Sequence, residues 1–309
     1  MNQTAAKYEP PQKMSKFPHP DKSKILSLSP SEKIKYTDSI RISYPKLQEM
    51  LSLVADCHNS SKTQARATCM RVSGVSGTGK SNLYEIYSKK YPVVNDINGT
   101  NIPVLYSRIP CPAYIGGLPS QLLYDLGDPF YNKSKTIILQ TKRLYNLLKA
   151  CKVEIIFLDE VQHLVDRNSH KLLRDSSDWF KELIDETRIP IVFLGIPDSD
   201  KIFIENEQLS KRVRIVKTTK EFDNDDTFRK FLYLYDLVLP LEESSTLADS
   251  DMCCRLYNST KGNVKNIHDL LVESVTIAIA NNASRITMPM LAKAHNKILY
   301  DQSVKNPFI

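Results

Sequence analysis

The segment GVSGTGKSNLYEIYSKKYP, residues 74–92, follows a short mixed apolar stretch and opens into a helical pattern. Gly74, Gly79, Lys80 and Ser81 match the pattern G-x-x-x-x-G-K-[ST] at every fixed position. Glycines in this pattern let the backbone wrap round a polyphosphate with its N–H groups inward, and the helix start adds a positive end. Because a strand before and a helix after are the context that this motif requires, the segment predicts a nucleoside triphosphate site.

Each polar residue of the loop has an expected role. Lys80 is expected to reach the β- and γ-phosphates and to act in catalysis, and the Ser81 hydroxyl is expected to bind Mg²⁺. ATP and Mg²⁺ are therefore the expected cofactors. The loop residues expected to bind nucleotide are Gly74, Val75, Ser76, Gly77, Thr78, Gly79, Lys80, Ser81 and Asn82.

A second motif, IIFLDE at residues 155–160, completes this chemistry. A buried strand that ends in Asp159 places a carboxylate beside Mg²⁺, which is the Walker-B role. Glu160 can polarise a water for attack on the γ-phosphate, so hydrolysis is favoured over kinase activity. The alternative, two solvated acids at a strand end, is weak beside the glycine loop. The sequence contains no NKxD-type guanine reader, which favours ATP over GTP.

Strand-like and helical segments alternate after the loop. NIPVLYSRIP (residues 101–110), VEIIFLDEVQHL (153–164) and IPIVFLGIPD (189–198) resemble buried strands, and helical patterns separate them. This order predicts an α/β P-loop core with a parallel sheet between helices, and only helical patterns follow residue 220. The expected domains are a disordered tail at 1–28, an N-terminal helical extension at 29–66, an α/β nucleotide-binding core at 67–220 and a helical lid at 221–309.

Composition restricts the location and the partners. The chain carries 42 Lys and Arg against 35 Asp and Glu, a formal charge of +7, which mildly favours a polyanionic partner. Its six cysteines form no CxxC pair, which is typical of reduced thiols in a cytosolic protein. No signal peptide is recognisable, and no apolar run approaches the roughly 20 residues of a membrane span. A soluble, cytoplasmic protein without a membrane partner is expected.

The order of the motifs resembles that of AAA+ ATPases. Over residues 29 to about 300 the chain is similar, more narrowly, to TnsC/TniB-type transposition regulators. The segments that carry this resemblance are SPSEKIKYTDSIRISYPKLQEML (29–51), FLDEVQHL (157–164), ENEQLSKRVRIVKTTKEF (205–222) and STKGNVKNIHDLLVESVTIAIANNASRITMPMLAKA (259–294).

The resemblance implies an ATP-dependent assembly on double-stranded DNA, as a ring or a helical filament of the protein itself. Such an assembly links a target-selection protein of the TniQ/TnsD type to transposase subunits, and ATP hydrolysis dismantles it. Two alternatives remain. One is a replication initiator or loader, which is expected to carry a winged-helix domain after the lid, where this chain leaves no room. The other is a signalling or protein-remodelling AAA+ ATPase that does not bind DNA.

The resemblance also assigns a trans-acting catalytic residue. Arg212 occupies the place of an arginine finger, which a neighbouring subunit offers to the γ-phosphate. Arg214 is the alternative finger. A solvated basic face formed by Lys211, Arg212 and Arg214 is the competing interpretation.

Two sensor positions depart from the family pattern. Ile196 stands where relatives carry Thr, Ser or Asn, with Asp198 and Ser199 as candidate substitutes. In the lid, Lys265 and Asn266 stand where an arginine is expected, and Lys265 is expected to reach the nucleotide as a point charge. These departures predict a slow, assembly-dependent hydrolysis that acts as a switch.

For DNA, the resemblance implies contacts from the segment after the second strand and from the helix after Walker B. Lysines, arginines and hydroxyls there suit phosphate oxygens, which provide affinity without sequence readout. Ordinary solvated side chains are the alternative for each residue. Nearby, Tyr114 is interpreted as a surface aromatic, His163 as a packing residue and Trp179 as core. The expected DNA-binding residues are Lys133, Lys135, Thr136, Arg167 and Lys171.

Overall fold

A computed structural model describes residues 21–64, 66–97, 99–133, 136–165, 170–298 and 305–309. The chain divides into two compact units. One is Pro45–Thr219, and the other combines Met1–Tyr44 with Lys220–Ile309. None of the helices within the described ranges is long and apolar enough to cross a membrane.

The first described residues are helical. The expected disordered tail included residues 21–28, but helix α1 (Lys22–Leu26) forms there, with the Asp21 side chain accepting a hydrogen bond from the Ser23 N–H at its start. Helix α2 (Pro30–Asp38) begins with a capping box, in which Ser29 and Glu32 each bond the other's backbone N–H. The remaining part of the expected tail, residues 1–20, lies outside the described residues.

A five-stranded parallel sheet forms the centre of the unit Pro45–Thr219. Its strands, in their order across the sheet, are β4 (Val104–Arg108), β5 (Ile155–Asp159), β6 (Ile191–Gly195), β1 (Cys69–Gly74) and β7 (Val213–Thr219). Strands β5 and β6 are buried along their whole length, as expected for a sheet covered on both faces. This arrangement confirms the predicted α/β class. Two further strands, β2 (Val94–Asp96) and β3 (Gly99–Asn101), form a separate antiparallel pair.

Helices cover this sheet. Trp179 and Phe180 pack edge-to-face at 5.2 Å between ring centres, and Phe180 packs on Phe193 at 5.4 Å, so Trp179 lies in the core. The Trp179 Nε1–H donates to Thr141 Oγ1 at 3.0 Å. The helices are α3 (Pro45–Thr63), α4 (Lys80–Ser88), α5 (Gly117–Asp125), α6 (Ile137–Ala150), α7 (His170–Thr187), α8 (Lys201–Ile204) and α9 (Glu207–Ser210), with 3₁₀ turns at Val161–Leu164 and Pro197–Asp200.

The other unit is helical. Its aromatic core joins residues from both of its chain segments. Tyr44 packs on Phe222 at 5.0 Å and on Phe231 at 5.9 Å between ring centres. The predicted N-terminal extension, 29–66, is therefore divided, with residues 29–44 in this unit and 45–66 in the other. The predicted boundaries of the nucleotide-binding core, 67–220, and of the lid, 221–309, remain predictions. Besides α1 and α2, its helices are α10 (Asp226–Val238), α11 (Ser250–Thr260), α12 (Val264–Ala280) and α13 (Met288–Ile298).

Candidate functional site

The glycine loop begins at the end of β1, where Gly74 pairs with Thr219 of β7. A Cβ atom on Gly74 would lie 2.1 Å from Thr219 Oγ1 and 2.4 Å from the Thr219 carbonyl oxygen, so a side chain cannot fit there. The Thr78 hydroxyl contacts the same Thr219 hydroxyl at 2.7 Å and donates to the Val75 carbonyl at 2.9 Å. Gly74 is thus required by the close approach of β7, rather than by an unusual backbone angle.

The other glycines shape the turn itself. Gly77 and Gly79 have φ angles of 80° and 87°, in the left-handed region that glycine adopts without steric cost. Gly79 is the residue that precedes helix α4, so the loop runs directly into a helix N-terminus. The buried Lys80 ammonium donates to the carbonyls of Gly74 at 2.7 Å and Val75 at 2.8 Å, which places its charge inside the loop.

The expected metal ligands are in contact. Ser81 Oγ donates to Asp159 Oδ2 at 2.8 Å, and the Glu160 backbone N–H donates to Asp159 Oδ1 at 2.8 Å. A hydroxyl and a carboxylate are hard oxygen ligands of the kind Mg²⁺ prefers, with phosphates and waters completing its shell. In the described parts of the chain no three His, Cys, Asp or Glu side chains cluster as a metal cage. The donor set therefore fits a Mg²⁺ ion that is held jointly with a nucleotide.

Two residues of β4 belong to this site although the sequence did not single them out. The Tyr106 hydroxyl donates to Asp159 Oδ2 at 2.8 Å, and Arg108 pairs in register with Asp159. Burial, with the Asp159 charge, raises the pKa of Tyr106 to about 12. The pKa of Arg108 is raised by its hydrogen bond to Tyr106 and by the charges of Asp159 and Glu160. Tyr106 and Arg108 are two positions apart, so the sequence predicts that they share one face of a strand. The sequence does not show which strand pairs with theirs.

Glu160 lies at a strained turn directly after β5. Its φ of 58° and ψ of 37° are left-handed, which is uncommon for a residue with a side chain. The Gln162 amide donates to the Glu160 carboxylate and accepts the Ile196 N–H at 3.2 Å. His163 Nδ1 bonds the Ile109 carbonyl at 3.0 Å, so the turn is attached to the ends of both β4 and β6. Sequence reasoning missed Gln162.

The candidate substitutes at the sensor position, Asp198 and Ser199, both have partners within the same turn, and their sensor role stays a prediction. The buried Ser199 hydroxyl donates to the Ile196 carbonyl at 2.6 Å, underneath Gly195. Asp198 is exposed and pairs with Lys201 at 3.3 Å. The amide of Gln162 also contacts the end of β6, by accepting the Ile196 N–H.

The predicted arginine finger is paired within its own subunit. Arg212 donates from Nε to Asp185 Oδ1 at 2.8 Å, from Nη2 to Oδ2 at 2.5 Å, and from Nη1 to the Gln208 carbonyl at 2.6 Å. Its side chain is only 18% exposed. Lys211 and Arg214 are exposed. To reach another subunit, Arg212 has to leave Asp185, and its trans-acting role stays a prediction.

Lys265 belongs to the helical unit. Its ammonium forms an ion pair with Asp269, one turn further along α12. Asn266 is in the first turn of the same helix, where its backbone N–H donates to the capping Asn263 side chain at 3.3 Å. The expected contact of Lys265 with nucleotide stays a prediction.

Three of the predicted DNA contacts are described. Lys133 is exposed with its ammonium 5.2 Å from the centre of the Phe130 ring, and Lys171 is exposed in the first turn of α7. Thr136 caps α6, because its hydroxyl accepts the Leu139 N–H at 3.3 Å. The other two, Lys135 and Arg167, lie outside the described residues.

Exposed apolar side chains surround this cap. Ile138 is 69% exposed and Leu139 56% exposed, at the start of α6 directly after Thr136. Tyr114 is 60% exposed, and its ring lies 3.1 Å from where a Cβ of Gly117 would be. The start of α6 therefore presents both polar and apolar groups to solvent.

Comparisons with known proteins agree with this geometry. The sequence model of the family described as Bacterial TniB protein matches residues 33–221. Cdc6p from Pyrobaculum aerophilum has a TM-score of 0.61 and 15% identity, covering 90% of this chain and 71% of that one. The fold is that of AAA+ ATPases. A search of curated proteins found no match.

Two further solved structures come from Aeropyrum pernix. Its ORC2 protein, in ADPNP–ADP complexes, has a TM-score of 0.60 and 12% identity over 85% of this chain and 71% of that one. Its ORC1 protein, in complex with DNA, has a TM-score of 0.56 and 15% identity, covering 83% of this chain and 66% of that one. At these identities the similarity shows the fold alone.

Proposed function

The chain belongs to the bacterial TniB family, and on that premise we propose that it is an ATPase that regulates DNA transposition. ATP-bound subunits assemble on double-stranded DNA as a ring or filament. The assembly links a target-selection protein of the TniQ/TnsD type to transposase subunits. ATP hydrolysis then dismantles it, so the energy of the nucleotide resets an assembly.

The contact between Ser81 and Asp159 carries the nucleotide part of this proposal. It brings the loop hydroxyl and the Walker-B carboxylate to 2.8 Å, with the Lys80 ammonium inside the same loop. A Mg²⁺ ion bound by Ser81 and Asp159 would offset the negative charge of the phosphates. Lys80 and the loop N–H groups would hold the phosphates, so ATP is the proposed ligand.

Glu160 is the proposed base for hydrolysis. Its carboxylate is half-buried, directly follows Asp159, and accepts a hydrogen bond from Gln162. In this role it takes the proton of a water that attacks the γ-phosphate. Ile196 supplies no polar side chain at the end of β6, which supports slow hydrolysis.

Assembly dependence rests on an arginine from a neighbouring subunit. Arg212 is the proposed finger, and the exposed Arg214 two residues later is the alternative. If Arg212 acts, assembly has to exchange its Asp185 partner for a phosphate of the neighbouring subunit. Hydrolysis is then slow until subunits meet.

The DNA part of the proposal rests on exposed cations and the overall charge of +7. Lys133 and Lys171 are exposed, and the Thr136 hydroxyl lies at the N-terminus of α6. Such groups suit phosphate oxygens and give binding that weakens as salt increases. The AAA+ protein ORC1, solved in complex with DNA, has the same fold.

Fluorescence anisotropy of a labelled DNA duplex tests the proposal. The protein is titrated with ATP, with a non-hydrolysable ATP analogue and without nucleotide, and the products are imaged by negative-stain microscopy. We expect rings or filaments only with nucleotide. Lys80→Ala should abolish them under all conditions.

The DNA surface is tested with the double variant Lys133→Ala, Lys135→Ala. The matched control is Lys89→Ala, Lys90→Ala, which removes two exposed charges at the end of α4. The variant Lys133→Ala, Lys135→Ala should weaken duplex binding, and the control variant should bind the duplex like the wild type. Absence of duplex binding with every nucleotide would overturn the DNA role and favour an ATPase that acts on protein partners.

A further inference from the structure

Gln162 connects the proposed base to the neighbouring strand end. Its Nε2 donates to Glu160 Oε2, and its Oε1 accepts the Ile196 N–H at 3.2 Å. Because a carboxylate only accepts and a backbone N–H only donates, these two partners determine which way the amide points. A glutamate at this position lacks the donor, and a methionine lacks both hydrogen bonds. The two contacts therefore require an amide side chain.

The end of β6 is shaped to receive this amide. A Cβ atom on Gly195 would lie 3.2 Å from Gln162 Oε1 and 2.5 Å from Ser199 Oγ. Gly195 pairs in register with Ser73, the residue before the first glycine of the loop. The amide thus contacts the strand end that lies beside the start of the phosphate loop.

The backbone of Glu160 needs support from its surroundings. A left-handed conformation is unfavourable for a residue with a side chain and persists where neighbouring contacts hold it. His163 holds one side of the turn through the Ile109 carbonyl. Gln162 holds the other side and is also bonded to the Glu160 carboxylate itself.

We propose that Gln162 is a positioning residue, which orients the Glu160 carboxylate for hydrolysis and ties that orientation to the end of β6. The inference rests on the proposed function, because it requires Glu160 to prepare the attacking water. Gln162 itself touches neither nucleotide nor water in this role.

Two substitutions separate its two hydrogen bonds. Gln162→Met keeps the side-chain length and removes both, whereas Gln162→Glu keeps the acceptor for the Ile196 N–H but places a second carboxylate against Glu160. We expect kcat for ATP hydrolysis to fall about tenfold or more in the methionine variant, since misplaced catalytic groups cost this much. The fall should be larger in the glutamate variant.

Binding should not change. We expect KM for ATP and Kd for a non-hydrolysable analogue to stay within about twofold, because the lost contacts are made to Glu160 and β6 and positioning of a base affects kcat. The unchanged Kd also reports a folded site. The matched control is Gln121→Met on α5, where the same kind of amide donates to the Asp125 carboxylate at 3.1 Å.

The effect has to pass through Glu160. In single-turnover assays, Gln162→Met should have no further effect in a Glu160→Gln background, because residues that act as a unit are not additive. Unchanged kcat in Gln162→Met, or a glutamate variant more active than the methionine variant, would overturn the inference. If instead Glu160→Gln hydrolyses ATP normally, the assignment of Glu160 fails and the inference fails with it.

Discussion

The Ser81 hydroxyl donates a hydrogen bond of 2.8 Å to Asp159, a residue 78 positions further along the chain. Ser81 comes after the loop that follows β1, and Asp159 is the last residue of β5. These two strands are not neighbours, because β6 lies between them in the sheet. Both strands are parallel and present their carboxyl ends at one edge. The order of the strands therefore places the end of β6, with Ile196, between the phosphate loop and the Walker-B acid.

Removing the Lys80 ammonium should abolish tight nucleotide binding. The group is buried in the loop and is expected to exchange its carbonyl partners for phosphate oxygens. Because hydrogen bonds to charged groups contribute roughly 1.5–3 kcal/mol, Lys80→Ala should weaken ATP binding about 10- to 100-fold. Isothermal titration calorimetry measures the Kd for ATP of each variant. Lys89→Ala, at the end of the same helix, is the control, and equal weakening in both variants would contradict the role of Lys80.

The Tyr106 hydroxyl should tune the metal site. It holds Asp159 at 2.8 Å, and removal of a partner of a metal-binding carboxylate commonly costs 10- to 100-fold in affinity or activity, so about tenfold is expected here. Tyr106→Phe should raise the Mg²⁺ concentration for half-maximal ATP hydrolysis by that factor. Tyr84→Phe is the control, since its ring stacks on Tyr106 at 4.5 Å. Identical Mg²⁺ curves for wild type and Tyr106→Phe would refute the prediction.

A methyl group on Gly74 should destabilise the α/β unit. The added Cβ would lie 2.4 Å from the Thr219 carbonyl oxygen, so β1 and β7 have to separate. We expect Gly74→Ala to lower the free energy of unfolding by about 1–3 kcal/mol, as for other overpacked sites. Urea unfolding followed by circular dichroism measures this. Gly116→Ala, whose nearest neighbour is the Tyr114 ring at 3.3 Å, should cost less.

The ion pair between Arg212 and Asp185 should contribute modestly to the stability of the folded protein. The hydrogen bond to Arg212 lowers the pKa of Asp185, so the pair is stabilising above the ordinary carboxyl pKa and is lost as pH falls through the lowered value. Because Asp185 is 42% exposed, a double-mutant cycle with alanine should give a coupling of at most about 1 kcal/mol near neutral pH.

Hydrolysis distinguishes the two arginines. Asp185→Ala frees Arg212 and should keep assembly-stimulated ATPase activity, whereas Arg212→Ala should lose it if Arg212 acts in trans. The same loss in Arg214→Ala, with Arg212→Ala still active, would transfer the role to Arg214. ATPase rates over a range of protein concentrations measure the stimulation.

His58 should make stability depend on pH. Its buried ring bonds Tyr87 and Glu154 at 2.8 Å each, and burial lowers its pKa below the ordinary value of 6.5. The unfolded chain then binds the proton more readily, so stability is full above about pH 6.5 and falls as pH drops toward the lowered value, with a slope of at most about 1.4 kcal/mol per pH unit.

Urea unfolding of wild type and His58→Gln at pH 7.5, 6.5 and 5.5 checks this. The wild type should lose stability across this range, and the variant should lose less. Parallel curves for the two proteins would show that His58 does not titrate with folding. The carboxyl of Glu154, whose pKa is lowered by Lys62, titrates below this range.

The motifs of the candidate nucleotide site could be predicted from the sequence. The glycine loop, Lys80, Ser81, Asp159 and Glu160 follow each other within short segments whose function depends on residue type and spacing. The buried strands could be predicted too, because apolar runs that alternate with helical patterns are typical of a parallel sheet covered on both faces. Trp179 was placed in the core by the apolar face of its helix.

Contacts between distant segments were decided by the tertiary structure. Tyr106 reaches Asp159 only because β4 pairs with β5, and Gln162 reaches Ile196 only because β6 lies on the other side of β5. The Arg212–Asp185 pair depends in the same way on α7 lying near the start of β7. Motif residues are set by chemistry that acts over a few positions, whereas strand order and register follow from packing of the whole sheet. The loop and the acids were therefore determined by the sequence alone, and the side chains that support them by the fold.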